Sequence, residues 1–286
     1  MRSTREKYRR KRPLTENVAE ANDQIDYGPL WSVKRSQSPI IGTAIHDGCH
    51  VRNKLRSLSR LSEDERLREE DPFTAKIISG VPNQVVVHRS RFEVDLNRSR
   101  DEAIYLSAEQ AWGLQVWNRE LSQSERNESL LIHDEYYQML RFFLSSIERH
   151  HREFVLLDVH SYNHRRADPN TATAQDQAPD VNIGTFSMDR GRWAYIVDPL
   201  MDHFRGFTIG GKRLDVRENV AFQGKGEQTR FVHEQFPTTG CAIAIEFKKI
   251  FMDEWTGQPD HQALRDLSDA VTSAVPMLER ILGSRQ

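Results

Sequence analysis

The chain has 286 residues, 37% of them hydrophobic and 29% charged, and a net charge of −2. A chain this long can bury a sizeable core as one large α/β domain or two small ones, and the near-zero charge excludes a global basic field for nucleic acid. Two cysteines, Cys49 and Cys241, are too few for a disulfide scaffold and fit a reducing compartment.

Residues 1–12, MRSTREKYRRKR, are basic and almost free of apolar residues, which reads as a solvated tail. Residues 13–38 read as irregular, with Trp31 pinning them to the body. The expected division is an N-terminal arm over 1–38 and an α/β domain over 39–286. Pro39 to Ile45 reads as a buried strand, and His46-Asp47-Gly48 follows at once. Residues 54–80 read as a charged helical stretch with a capping box from Ser62 to Glu65. It breaks at Glu70-Asp71-Pro72, where a loop could carry two carboxylates into a site.

Gln84 to His88 is a further buried strand, followed by the charged run Arg89 to Arg100. Arginines in a cleft clamp carboxylates, because the guanidinium pairs with them in bidentate fashion. Ser107 to Trp117 is expected to be helical, and His133 to His151 to be an amphipathic helix with Tyr136, Leu140, Phe143 and Ile147 on its apolar stripe.

Phe154 to Val159 is a strand covered on both faces, interrupted by Asp158 and ending in His160-Ser161. Open α/β sheets carry their chemistry beyond the carboxyl ends of strands. Arg165 to Pro179 has no periodicity and reads as a long loop. Val181 to Phe186 is another strand, and 208–240 reads as glycine-bearing loop. Cys241 to Ile245 is the last core strand, with Glu246 after it, and Leu264 to Ile281 a closing helix. Strand and helix alternate throughout, so the expected fold class is a single α/β domain, a mostly parallel or mixed central sheet flanked by helices.

Four strands thus end in polar residues: His46, the His88–Arg91 group, His160 and Glu246. If the first and third converge, two imidazoles and one carboxylate make a three-ligand zinc site with an open position, the catalytic rather than the structural pattern. Glu70 and Asp71 are rival carboxylates. Glu246 is placed to move a proton, and arginines to bind an anion or steady an oxyanion. The competing reading makes each histidine a core residue bonded to backbone.

These residues also carry a family resemblance. Thr43 to Gly48, Glu70-Asp71, Ser90 to Arg98, Leu157 to Ser161, Pro179 to Thr185 and Ala244 to Glu246 resemble, in order, the motifs of the N-formylglutamate amidohydrolases. The run Asp95-Leu96-Asn97-Arg98 also resembles the zinc carboxypeptidases, to which that family is distantly similar. The resemblance implies a zinc-carboxypeptidase-like (phosphorylase/hydrolase-like) fold and one Zn2+ per chain. It implies zinc ligands His46 and His160, with Glu70 or Asp71 as the third, since Cys49 stands where a carboxypeptidase has its glutamate. By the same resemblance Glu246 is the general base, and Asn97 and Arg98 hold the α-carboxylate of a small anionic N-acyl amino acid. Arg91 serves the oxyanion or a second carboxylate, and Asp158 orients a ligand.

The implied reaction is hydrolysis of N-formyl-L-glutamate or another N-acyl amino acid. A zinc carboxypeptidase or amidase for small peptides or cell-wall fragments, and a noncatalytic metabolite-binding protein, are the alternatives. No apolar run approaches the roughly 18 residues of a membrane helix, and the start lacks the apolar core of a secretory signal. A cytoplasmic protein without membrane or nucleic-acid partners is expected.

Overall fold

A computed structural model describes Gln24–Asp26 and residues 30–284, so the basic run 1–12 lies outside the described residues. Among the described residues ten strands and seven α-helices follow one another. β1 (Gln24–Asp26), β2 (Trp31–Lys34) and β3 (Ile40–Ala44) come first, then three short helices, α1 (Asn53–Arg56), α2 (Glu63–Glu69) and α3 (Thr74–Ile77). β4 (Asn83–Val87), α4 (Gln123–Glu148), β5 (Phe154–Tyr162) and β6 (Val181–Gly184) build the middle. α5 (Ala194–Arg205), β7 (Thr208–Ile209), β8 (Lys212–Arg213), β9 (Val216–Glu218), α6 (Glu227–Gln235), β10 (Gly240–Lys248) and α7 (His261–Gly283) complete the fold.

Eight strands form one mixed sheet in the order β1-β2-β4-β3-β5-β10-β6-β9. The four central strands, β4, β3, β5 and β10, run parallel. β2 is antiparallel to β4, and β6 antiparallel to β10. The parallel centre explains the unbroken apolar runs: β3 and β5 are buried along their whole length because helices cover both faces. One face packs Val155, Leu157, Ile243 and Ile245 against Leu200 of α5 and Leu267 and Val271 of α7. The other packs Ile41, Leu156 and Ala242 against Tyr136 and Leu140 of α4 and Val232 of α6.

Local structure departs from the sequence expectation in four places. Residues 30–38 are not all irregular: β2 alternates buried and half-buried residues, and Trp31 packs edge-on against Tyr136 at 5.6 Å. The long helix starts at Gln123, ten residues early, where Ser122 and Glu125 close a capping box. Residues 107–117 do not form a helix. A single 3-10 turn, Glu109–Ala111, ends where Trp112 and Gly113 take positive φ of 53° and 90°, a left-handed step that no right-handed helix continues. Finally, 208–240 contains α6 as well as loops. The capping box at Ser62 is formed as expected.

Candidate active site

Because β3 and β5 are adjacent and parallel, their carboxyl ends emerge on the same edge of the sheet. His46 and His160 therefore meet, with ring centroids 4.9 Å apart. Between them stands Asp71, whose Oδ2 lies 3.3 Å from His46 Nδ1 and 3.1 Å from His160 Nδ1. Ser161 Oγ donates to its other oxygen at 3.3 Å. All three groups are buried, and their ligand atoms lie within 4.8 Å of one another.

Glu70 is not brought into this cluster. It ends α2 in an extended conformation, φ −75° and ψ 170°, so consecutive side chains diverge: Glu70 accepts a hydrogen bond from Ser90, and Asp71 turns inward. Buried Lys249 donates to the carbonyls of Arg68 and Glu70 at 2.6 and 2.8 Å and fixes that break. Burial pushes its ammonium down to about 8 against the pull of Asp71, Glu69 and Glu254.

The far nitrogens of both rings face carboxylates. His46 Nε2 is 2.8 Å from Asp95 Oδ1, and His160 Nε2 is 3.1 Å from Asp158 Oδ1. Asp158 Oδ1 in turn accepts from Thr43 Oγ1 at 3.0 Å and from Gln228 Nε2 at 2.5 Å, and Tyr136 donates to the other end of Gln228. Asp95 is held by Arg91 at 2.9 Å, by the backbone N–H of Asn97 at 2.9 Å and by the Tyr105 hydroxyl. Neither Asp95 nor Gln228 has a role legible from sequence alone. Asp95 lies inside a recognisable run, but Gln228 sits in a glycine-flanked segment without apolar periodicity.

This donor set fits a cation. A neutral imidazole offers one N–H and one lone pair. If each Nε2–H faces its carboxylate, both Nδ1 lone pairs point at the Asp71 oxygen. Three lone pairs this close need a shared positive charge, supplied by extra protons or by one metal ion. Without a metal the protons do it: burial alone would lower His160, but Asp158 and Asp71 raise it well above the usual imidazole range. Burial would raise Asp71, but His160 and His46 hold it well below the usual carboxylate range. Two imidazoles plus one carboxylate is also the ligand set of catalytic zinc, and a carboxylate behind each histidine is the usual means of orienting such ligands.

Glu246 lies beside His160 in the β5–β10 ladder and opposite Asn182 of β6. Register partners share a sheet face, so its carboxyl is on the side of the cluster. Among the described residues no side chain hydrogen-bonds to it. Burial pushes its pKa up to about 7, with His160 opposing and Asp71 and Asp158 adding to the rise.

Asn97 Nδ2 is 3.4 Å from His160 Nε2, and the Asn97 carbonyl accepts the first N–H of α6, from Glu227, at 3.0 Å. Arg98 donates to the Gln110 carbonyl at 2.7 Å and lies 4.7 Å over the Tyr105 ring. Arg91 donates to Asp95, Tyr105 and the Glu69 carbonyl. The sequence-derived residues thus gather at one end of the sheet, with Glu70 turned away from the two histidines towards Ser90. A cavity of about 560 Å³ lined by Arg152, Glu153, Arg192, Thr238 and Thr239 opens at the opposite, amino-terminal end of β5 and β10. It shares no residue with the cluster.

The family model for N-formylglutamate amidohydrolase matches residues 38–252, three quarters of the chain. The chain belongs to the N-formylglutamate amidohydrolase family. The family assignment makes it a hydrolase acting on an amide. In structure it is similar to N-formylglutamate amidohydrolase from Ralstonia eutropha JMP134, with a TM-score of 0.70 and 15% identity over 88% of this chain and 99% of that one. It is also similar to a gene product of Agrobacterium tumefaciens, with a TM-score of 0.59 and 15% identity over 90% of this chain and 94% of that one. At such identities these two likenesses show a shared fold. No curated protein sequence matches the chain. Among the described residues no helix is long and apolar enough to cross a membrane.

Proposed function

We propose that this family member is a zinc-dependent amidohydrolase that cleaves the C–N bond of an N-formyl or other N-acyl amino acid, with N-formyl-L-glutamate, giving formate and L-glutamate, as its first candidate substrate. The observation that carries the reading is the pair of Nδ1 atoms converging on Asp71 Oδ2, with Glu246 next to His160.

His46, Asp71 and His160 would hold the metal. Bound zinc lowers the pKa of water towards about 7 and polarises a carbonyl. Asp95 and Asp158 keep both imidazoles turned to present Nδ1. Glu246 takes a proton from the attacking water and delivers it to the leaving amine. A carboxyl raised to about 7 can do both near neutral pH. Asn97 and Arg98 hold the α-carboxylate. Arg91 retains two N–H groups beyond the three bonds above, which suits it to the oxyanion or to a second carboxylate.

The test is metal content of the purified chain beside His160→Ala, with circular dichroism as the fold control and formate release from N-formyl-L-glutamate as the activity. About one zinc per chain, lost in the variant, together with formate release, supports the whole reading. Zinc without formate release would redirect the search to other N-acyl amino acids and short peptides. A correctly folded chain that takes up no zinc after reloading would defeat the metal site.

A further inference from the structure

Seven large apolar side chains remain exposed among the described residues, and three of them, Phe186, Val220 and Phe222, lie on two adjoining segments. The segments are joined by a hydrogen bond from Phe186 N–H to the Gln223 carbonyl at 2.8 Å. Single exposed apolar residues are ordinary; a group of them marks a surface that binds something.

The group is held in place from inside the site. Asn182 is fully buried and is the register partner of Glu246. Its Oδ1 accepts the N–H groups of Val220 and Ala221 at 2.9 Å each, and its Nδ2 donates to the Phe222 carbonyl at 2.7 Å. A buried amide therefore fixes the tip of an apolar loop directly beside the candidate base. The Phe222 ring packs edge-on at 5.3 Å against Tyr162, two residues beyond His160 on β5. Phe186 carries the Lys225 ammonium 4.3 Å over its ring.

Position along the sheet says which half of a substrate would reach this wall. Arg98, in the turn after β4, is held at the Gln110 carbonyl and over the Tyr105 ring; Asn97 reaches from there to His160 and the start of α6, and the apolar wall hangs from β6, past Glu246. An N-acyl amino acid whose carboxylate is held by Arg98 extends its acyl group past His160 towards that wall.

We propose that Phe222, Val220 and Phe186 form an apolar subsite for the acyl half of the substrate, so that the chain favours an N-acyl amino acid with an acyl group longer than formyl. This rests on the reading that Asn97 and Arg98 hold the amino-acid carboxylate.

The test is calorimetric binding of N-formyl-, N-acetyl- and N-hexanoyl-L-glutamate to the zinc-treated full chain carrying Glu246→Gln, alone and with Phe222→Ala, Phe222→Leu or Phe186→Ala added. Hydrolysis of the same ligands by the unaltered chain is measured in parallel. The hexanoyl compound should bind about ten-fold or more tighter than the formyl compound, the effect of roughly two buried methylene groups. Phe222→Ala should reduce that ratio to about three-fold, and Phe222→Leu should retain most of it. Equal binding along the series, or a preference unchanged by both alanine variants, overturns the subsite. Hydrolysis without a chain-length preference overturns it and leaves the reaction standing. A preference abolished by Phe222→Ala but without hydrolysis supports the subsite and defeats the proposed reaction.

Discussion

Two side chains separate the roles within the site. Glu246 lies outside the Nδ1–Asp71 cluster, so Glu246→Gln should leave zinc content unchanged while kcat falls by about two orders of magnitude or more, the usual contribution of a general base. Zinc stoichiometry and turnover measured on the same preparation decide this, and an unaltered kcat removes Glu246 from the mechanism. Gln228 acts one step further away. It ties Asp158 to Tyr136 and Thr43, and Asp158 faces His160. Gln228→Leu keeps the volume but takes away the donor that fixes Asp158. Zinc affinity, measured by competition with a chelator, should fall by ten-fold or more, in the range typical of partners that orient ligands. Affinity equal to that of the unaltered chain would make Gln228 a packing residue only.

At the level of elements, the site depends on how α6 meets the turn after β4. Gly226 precedes α6, and a Cβ built there would lie 2.1 Å from Asn97 Oδ1. No side chain is tolerated at that distance unless Asn97 moves. Gly226→Ala should therefore raise KM for a carboxylated substrate several-fold with little change in melting temperature, because the collision is with a polar side chain at the site and not with the core. A large drop in melting temperature at constant KM would show that the contact serves folding instead. Gly224 makes a second close approach: its backbone abuts that of Gly184 with a φ of 75°, which binds the apolar loop to the end of β6.

Across the whole molecule, buried histidine links stability to pH. His233 of α6 accepts the N–H of Ala242 on β10 at Nε2, 3.1 Å away, so its other nitrogen carries the proton and the ring is neutral. Burial holds its pKa down at about 4, below the ordinary imidazole value of about 6.5. The unfolded chain then binds this proton more readily than the folded one. The contribution is complete above about pH 6.5 and is lost as pH falls towards 4; the full span corresponds to about 3 kcal/mol. Glu70 and Glu246, both raised to about 7 chiefly by burial, work in the opposite sense, since the folded chain takes up their protons first. Urea unfolding from pH 7.5 to 4.5 should therefore show the unaltered chain losing stability relative to His233→Gln as the pH drops. A constant difference between the two would contradict the assignment.

Sequence and structure agree where burial is continuous. β3, β5 and β10 are legible because strands covered on both faces leave unbroken apolar runs, and the polar residues that end those runs stand out against them. The adjacency of β3 and β5 is not legible, because the pairing partners are more than a hundred residues apart and only the sheet order shows that His46 and His160 share an edge. Nor could composition show which of Glu70 and Asp71 faces the two histidines, since that follows from the backbone conformation at the end of α2. α6 escapes a periodicity reading because Gly224, Lys225 and Gly226 lead into it and only Phe231 and Val232 supply an apolar core contact.

The triangle of His46, Asp71 and His160 has a further consequence for the chain as a polymer. Its corners are 25 and 89 residues apart along the backbone, so an ion held there acts as a removable cross-link joining three distant segments. Because those segments separate on unfolding and the ion is then released, its binding free energy is added to the stability of the folded chain alone. Chelation should therefore make the chain markedly easier to cut by protease and steepen its loss on warming, even where secondary structure by circular dichroism is unchanged. Limited proteolysis with and without chelator reads this out. The same ion would thus serve as reagent and as fastener.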